Sequence, residues 1–282
     1  MTTYQDDQLA PPSADAVAPR KEQSTAKRVL LRLIPPLVLL IIAIGVWQFV
    51  SYVALGSDQQ FLLPPLQTVI DQSFFQWVNF DSLLQAFWTT AYLAAIGLAI
   101  AIAIGVLIAV FMHQSRIIER SLYPYLILAQ TVPILALVPL IGFWLGFSST
   151  SRIVVCVIIA LFPIIANTTF GLQQATDPQN DLFRLHQAGR LRRLKSLYLP
   201  AALPAMFAGF RISAGLSVVG EIVGGFFFQK GPSDLGILIN TTVDQLDTEV
   251  LFGAVFASAI LGVLVFWLFT GLGRVVYGNW KE

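Results

Sequence analysis

Residues 93–112 read Leu93-Ala94-Ala95-Ile96-Gly97-Leu98-Ala99-Ile100-Ala101-Ile102-Ala103-Ile104-Gly105-Val106-Leu107-Ile108-Ala109-Val110-Phe111-Met112, twenty residues without a charge. Wound as a helix at about 1.5 Å per residue, such a stretch covers about 30 Å, the hydrocarbon thickness of a bilayer. The uncharged run around it extends from Asp81 to Arg116. This is a membrane span.

Four more charge-free gaps of the same kind lie between Arg32 and Asp58, Arg120 and Arg152, Arg152 and Asp177, and Glu249 and Arg274. A sixth run, Ala201 to Phe228, is equally apolar but contains Arg211 and Glu221. The pattern predicts an all-α integral membrane protein with six transmembrane helices. Composition agrees: of the 282 residues 56% are hydrophobic and 12% charged, against about 25% charged in a soluble domain. Seventeen Lys+Arg against sixteen Asp+Glu leave a net charge of +1, too little to draw nucleic acid. A single cysteine, Cys156, and two histidines, His113 and His186, offer neither a disulfide framework nor a metal-ligand pattern.

Lys and Arg accumulate on the cytoplasmic side of membrane proteins. With the N-terminus inside, the inner segments hold fourteen of them and the outer segments only Arg152 and Lys230. Both termini are therefore expected in the cytoplasm. Asp58, Asp71, Asp81, Asp234, Asp244, Asp247 and Glu249 fall outside on the same reading. Residues 1–27 are too polar to bury a core and read as a disordered tail ahead of a single domain, 28–282. Ala54-Leu55-Gly56 resembles a signal-peptide cleavage site, but the apolar run after Arg32 is longer than a signal core of about 7 to 15 residues and reads as an uncleaved anchor. After it, Leu66, Val69, Ile70, Phe74 and Trp77 recur at helical spacing and predict a helix along the membrane surface.

The inner connection, residues 174–200, is the most informative. In it Leu182, Leu185, Leu191, Leu194 and Leu197 recur at threes with a break near Gly189, while Arg190, Arg192, Arg193 and Lys195 take other faces. The spacing predicts a short helix, a turn, and a basic amphipathic helix closed by Pro200. Positive-inside charge alone explains the arginines but not the ordered leucines.

This segment resembles the cytoplasmic E-A-A-x-x-x-G loop of the membrane subunits of ATP-binding-cassette importers, a pattern that ends in L-P thirteen residues after its glycine. Counted back from Pro200, Gln187 stands for the glycine, Asp181 for the glutamate, and Leu182 and Phe183 for the two alanines. Leu185 and Leu199-Pro200 keep the frame, with Gly189 available to supply the turn slightly later. Further stretches resemble the nitrate, sulfonate, taurine and thiamine-precursor branch of that family. They are Leu62-Leu63-Pro64-Pro65, Pro133 to Leu140 with Trp144-Leu145-Gly146-Phe147, Phe162 to Leu172, Leu203 to Arg211, and Leu235-Gly236-Ile237-Leu238-Ile239.

The resemblance implies a type I importer permease fold in the cell inner membrane. The pathway would run between two permease subunits, expected as a homodimer surrounded by lipid. The implied partners are cytosolic ATPase subunits, which use ATP and magnesium, and an external substrate-binding protein. The chain itself would bind no cofactor or metal and catalyse nothing. Asp181 to Ala188 would be the coupling helix that seats in the ATPase, with Leu182 and Leu185 as apolar anchors and Arg184 at the rim; Gln187, Gly189 and Pro200 would shape its exit. The nearest likeness to a phosphate loop, Gly189 to Ser196, has Leu194 where glycine must precede the lysine.

Arg211 and Glu221, the only charges in the fifth span, must face protein or water. They lie ten residues apart, about 15 Å along a helix and on different faces, and do not pair with each other. Glu221 is open to two readings, a pathway group or a structural one bonded to neighbouring helices. Gly209, Ser213, Gly215, Ser217, Gly220, Gly224 and Gly225 beside them permit close helix contact. Gln130, Asn167, Thr168, Thr169, Ser213 and Ser217 are the neutral candidates for a pathway wall. Pro133, Pro139 and Pro163 predict kinks, and Phe226-Phe227-Phe228 an interfacial aromatic belt. A wall without a second buried charge binds small anions poorly, so the cargo leans to a small polar organic molecule such as hydroxymethylpyrimidine or riboflavin, with sulfonate, taurine or nitrate as the alternative. A secondary transporter would need ionisable groups in several spans, and five of the six have none. A membrane-embedded enzyme would need a His or carboxylate cluster that the sequence does not present.

Overall fold

The computed structural model describes residues 25–55 and 59–278; the expected tail falls outside them as far as residue 24, and so does Gly56. Among the described residues all regular structure is helical. Helix α1 (Thr25–Phe49) runs on through a wide π turn, and α2 (Leu66–Ile70) does the same before α3 (Trp77–His113). There follow α4 (Arg116–Thr131), α5 (Ile134–Leu145), α6 (Ser149–Leu172), α7 (Asp177–Leu185) and α8 (Arg190–Arg193). Beyond a second wide turn come α9 (Leu199–Phe227), α10 (Leu235–Gln245) and α11 (Thr248–Tyr277).

Five helical segments are long and apolar enough to cross a membrane, and α4 with α5 makes six if that bent pair is one span. The third span is thus not one kinked helix. Its halves meet at 94°. Pro133 supplies no N–H and pushes the residue before it out of the helical region; Val132 is accordingly extended, with ψ 125°. Pro139 and Pro163, by contrast, stay inside α5 and α6.

The centre of the bundle is α6 against α9, with α3 across both. Leu98, Ala101, Ala160, Ile164, Met206, Phe210 and Ala214 form its main apolar cluster. Glycines let the two backbones touch along their whole length. A Cβ on Gly171 would lie 2.9 Å from the Ala202 carbonyl, on Gly209 2.9 Å from that of Pro163, and on Gly220 and Gly224 3.0 Å from the Cα atoms of Cys156 and Arg152. These are the small-residue contacts that pack helices where burial from water offers no drive.

The segment after α1 does not lie free on the surface. Val69 and Ser73 are buried, and Ser73 Oγ donates to the Glu249 carbonyl at 3.0 Å, which docks α2 on the start of α11. The aromatic belt also needs correction: Phe226 and Phe227 are partly exposed, but Phe228 is buried among Val138, Ile141 and Val155, edge-on to Phe147. Its carbonyl accepts from Arg152 of α6 at 3.0 Å.

Candidate functional site

At one end of the bundle, α6 passes into α9 through α7 and α8. Thr176 and Gln179 form a capping box, Thr176 N–H donating to Gln179 Oε1 at 3.0 Å, and Pro178 sits in the first turn, where a missing N–H costs nothing. The helix here is therefore Asp177–Leu185, beginning one turn earlier than the Asp181 to Ala188 expected. It stops because Gln187 takes the left-handed conformation, φ 49°, at the position where the family pattern carries glycine. Gly189, with φ −63°, does not make that turn but caps α8. Nor does Pro200 close a helix. It lies in the first turn of α9, which continues directly from the wide turn Leu194–Tyr198.

No residue of α7 is buried. Leu182 is 53% and Leu185 82% exposed, while Arg184 pairs with Asp181 at 3.3 Å on the helix surface. Behind α7, Tyr198 OH donates to Asn180 Oδ1 at 2.7 Å, Arg193 Nη2 donates to the same oxygen at 2.8 Å and to Tyr198 OH at 2.6 Å, and the Tyr198 ring stands edge-on to His113. These bonds fix α7 to the ends of α3 and α9. Between α7 and α4 lies a polar cleft of about 880 Å³, lined among others by Arg116, Glu119, Arg120 and Asp177. The result is a rigidly mounted short helix that offers two leucines outward.

The candidate pathway residues are not one group. Gln130 is exposed near the end of α4. Ser213 and Ser217 are buried and donate to the Ala160 carbonyl at 2.7 Å and the Ala214 carbonyl at 2.9 Å, so their hydroxyls already have partners. Asn167, half-buried, donates to the Pro163 carbonyl at 2.8 Å beside Gly209. Thr168 and Thr169 are buried and their hydroxyls have no partner among the described residues. Arg211 is half-buried, with its guanidinium 6.0 Å from the centre of the Phe266 ring.

Glu221 is fully buried and 4.0 Å from Arg152, too far for a hydrogen bond. Arg152 is the residue that sequence reasoning missed: read as one of two outer-loop cations, it is wholly buried. It donates to the carbonyls of Phe228 (3.0 Å), Lys230 (2.7 Å) and Pro232 (3.2 Å) and pairs with the Asp234 carboxylate. Burial pushes the Asp234 carboxyl above the usual aspartate range, against the opposing pull of the Ile237 N–H it caps and of Arg152. A signal was present: an arginine and an aspartate on the side whose one other cation is Lys230, and a Glu221 that needed a partner.

An α6–α9 core zippered by glycines, five apolar spans with the bent α4–α5 pair beside them, and an outward-facing helix between two of the spans are the parts of a transport permease. Residues 101–277 match the family of binding-protein-dependent transport system inner membrane components, and the chain belongs to that family. It is similar to the formylaminopyrimidine transport permease protein ThiX of Halalkalibacterium halodurans, 32% identical over 74% of this chain and 82% of that one. It also resembles the riboflavin transport system permease protein RibX of Chloroflexus aurantiacus, 31% identical over 59% and 61%. The putative aliphatic sulfonates transport permease protein SsuC of Bacillus subtilis is 26% identical over 90% and 89%. The chain is thus a multi-pass membrane permease subunit of an ATP-binding-cassette importer, and the family implies a substrate-binding protein and an ATPase as its partners.

Proposed function

We propose that two copies of this chain form the pathway of an ATP-driven importer, with both termini cytoplasmic and α7 seated in a groove of a separate ATPase that does all the hydrolysis. The observation that carries this reading is the pair of exposed leucines on α7, Leu182 and Leu185, mounted on the hydrogen-bonded base of Asn180, Arg193 and Tyr198. An apolar pair held rigidly in water serves to be covered. Asp181, Arg184, Gln187, Gly189 and Pro200 act by shaping that helix and its exit. The whole of 28–282 works as one unit, and the chain itself binds neither cofactor nor metal.

The cargo is a small polar organic molecule of the pyrimidine or flavin kind. The names of two relatives, which specify formylaminopyrimidine and riboflavin transport, support it, while a third specifies aliphatic sulfonates. The interior also argues against a small anion: the serine hydroxyls are engaged with backbone carbonyls, and neutral groups compensate poorly for the lost hydration of a charge. Discrimination then rests with the binding protein. Uptake of labelled hydroxymethylpyrimidine, riboflavin, taurine and nitrate by cells with and without the chain tests this. Loss confined to the pyrimidine or to riboflavin is expected; loss confined to taurine or nitrate would overturn it. For orientation, a membrane-impermeant thiol reagent should reach Val243→Cys from outside and Leu185→Cys only in opened cells.

A further inference from the structure

The Arg152 cluster lies at the end of the α6–α9 hairpin opposite α7. About 20 residues of α6, near 30 Å of helix, separate it from the coupling segment. Along that length Gly171, Gly209, Gly220 and Gly224 keep α6 and α9 in backbone contact, so the pair cannot shear without forcing backbone atoms together. At the far end the Arg152 guanidinium spends all its donors on one short loop, the carbonyls of Phe228, Lys230 and Pro232 and the carboxylate of Asp234. Asp234 also caps α10 through the Ile237 N–H at 2.7 Å, and α3 adds a hydroxyl, Thr90 Oγ1, accepting from the Leu235 N–H at 3.0 Å. Gly225 and Gly236 bring α10 so close to α9 that a Cβ at either would strike the Asp234 carboxylate or the Ile222 carbonyl. A lone buried guanidinium would be costly; this one has a built socket. The α4–α5 pair, in contrast, is joined by a 94° bend, and no residue of α4 is buried. The rigid part of the bundle therefore includes α10 and leaves out α4.

We propose that Arg152 and Asp234 are positioning residues that clamp α10 to the α6–α9 hairpin, so that a displacement of α7 at one end moves α10 at the other. The lever rests on the reading of α7 as the ATPase contact; the clamp does not. Glu221, buried 4.0 Å from the same guanidinium, borders the socket on the α9 side.

Asp234→Asn tests it cleanly, because asparagine caps a helix as well as aspartate but cannot pair its charge with Arg152. Amide exchange of residues 235–245, measured on the purified chain in nanodiscs, should rise by about tenfold or more, as loss of a charge-assisted bond gives. Arg152→Lys, which keeps charge but loses the planar fork, should show the same region loosened. Asp244→Asn, exposed on α10, is the control and should leave exchange unchanged. In the complete complex Asp234→Asn should still hydrolyse ATP while moving less solute, lowering the solute moved per ATP by about fivefold or more, the low end of coupling between sites. A purely structural role would lower both in proportion to the complex recovered. Unchanged exchange in Asp234→Asn beside a working wild-type complex would overturn the clamp. Raised exchange with an unchanged solute-to-ATP ratio would overturn the lever. Absence of any ATPase from the unaltered chain would instead overturn the reading of α7.

Discussion

Replacing Leu185 by aspartate should detach the ATPase without disturbing the permease. The side chain is 82% exposed, so nearly all of its apolar surface remains to be buried by a partner. Burying a leucine is worth about 1.5 to 3 kcal/mol, and an unpaired carboxylate in the same groove adds a desolvation penalty of similar size. The sum, about 4 kcal/mol, is about a thousandfold in Kd. Leu185→Ala removes only the first part and should weaken binding by about 10- to 100-fold. Neither change reaches the core, since α7 has no buried residue; an aspartate in its last turn costs the helix about 0.3 to 1 kcal/mol through the dipole. The assay is ATPase binding to the permease in nanodiscs, with the helical circular dichroism and the elution volume of each variant as controls for folding. If Leu185→Asp bound the ATPase within twofold of the unaltered chain, α7 would not be the contact.

Three other outcomes follow from the geometry. Gln187→Gly should stabilise the α7–α8 turn by about 1 kcal/mol, because it relieves a left-handed residue with a side chain, whereas Gln187→Val should destabilise it; amide exchange across 177–190 reads both. Gly209→Val should lower thermal stability by about 1 to 3 kcal/mol, since its branched side chain meets Asn167 Cβ and the Pro163 carbonyl, whereas Gly45→Ala in α1, with nothing within 4 Å, should do no harm. Glu221→Gln should be tolerated better than Glu221→Leu in detergent melting, because the amide keeps polar contact with the Arg152 socket; equal melting and equal transport would make Glu221 dispensable.

The spans were legible because a membrane excludes charge, and five gaps between charged residues mark five of them without any packing argument. The α7 segment was legible for a related reason: leucines in a polar connection have no local use. What escaped depends on distant or subtle geometry. The break after Val132 turns a proline that could merely kink a helix into a corner, and nothing nearby distinguishes the two. Gln187 hides a glycine-like turn behind an ordinary side chain. Arg152 meets carbonyls 76 to 80 residues further on, so no periodicity announces its burial. Phe228 follows the same logic, its ring buried against Val138, Ile141 and Val155, more than 70 residues earlier in the chain. The pathway candidates share only their polarity; Ser213 proves to bond across to the backbone of α6 and Ser217 to the backbone of its own helix, neither of which sequence can separate from lining a channel.

The central claim is that this chain transports only as part of an ATP-driven complex held through α7. The most direct measurement is affinity purification of the tagged chain from its native membrane, in parallel with Leu185→Asp, followed by mass spectrometry and ATP hydrolysis of the eluate. The expected result is an ATPase polypeptide in equal number with the permease, hydrolysing ATP, and absent from the Leu185→Asp eluate although the permease is recovered in full. Recovery of the chain without an ATPase, from membranes that still take up its solute down an ion gradient, would contradict the account.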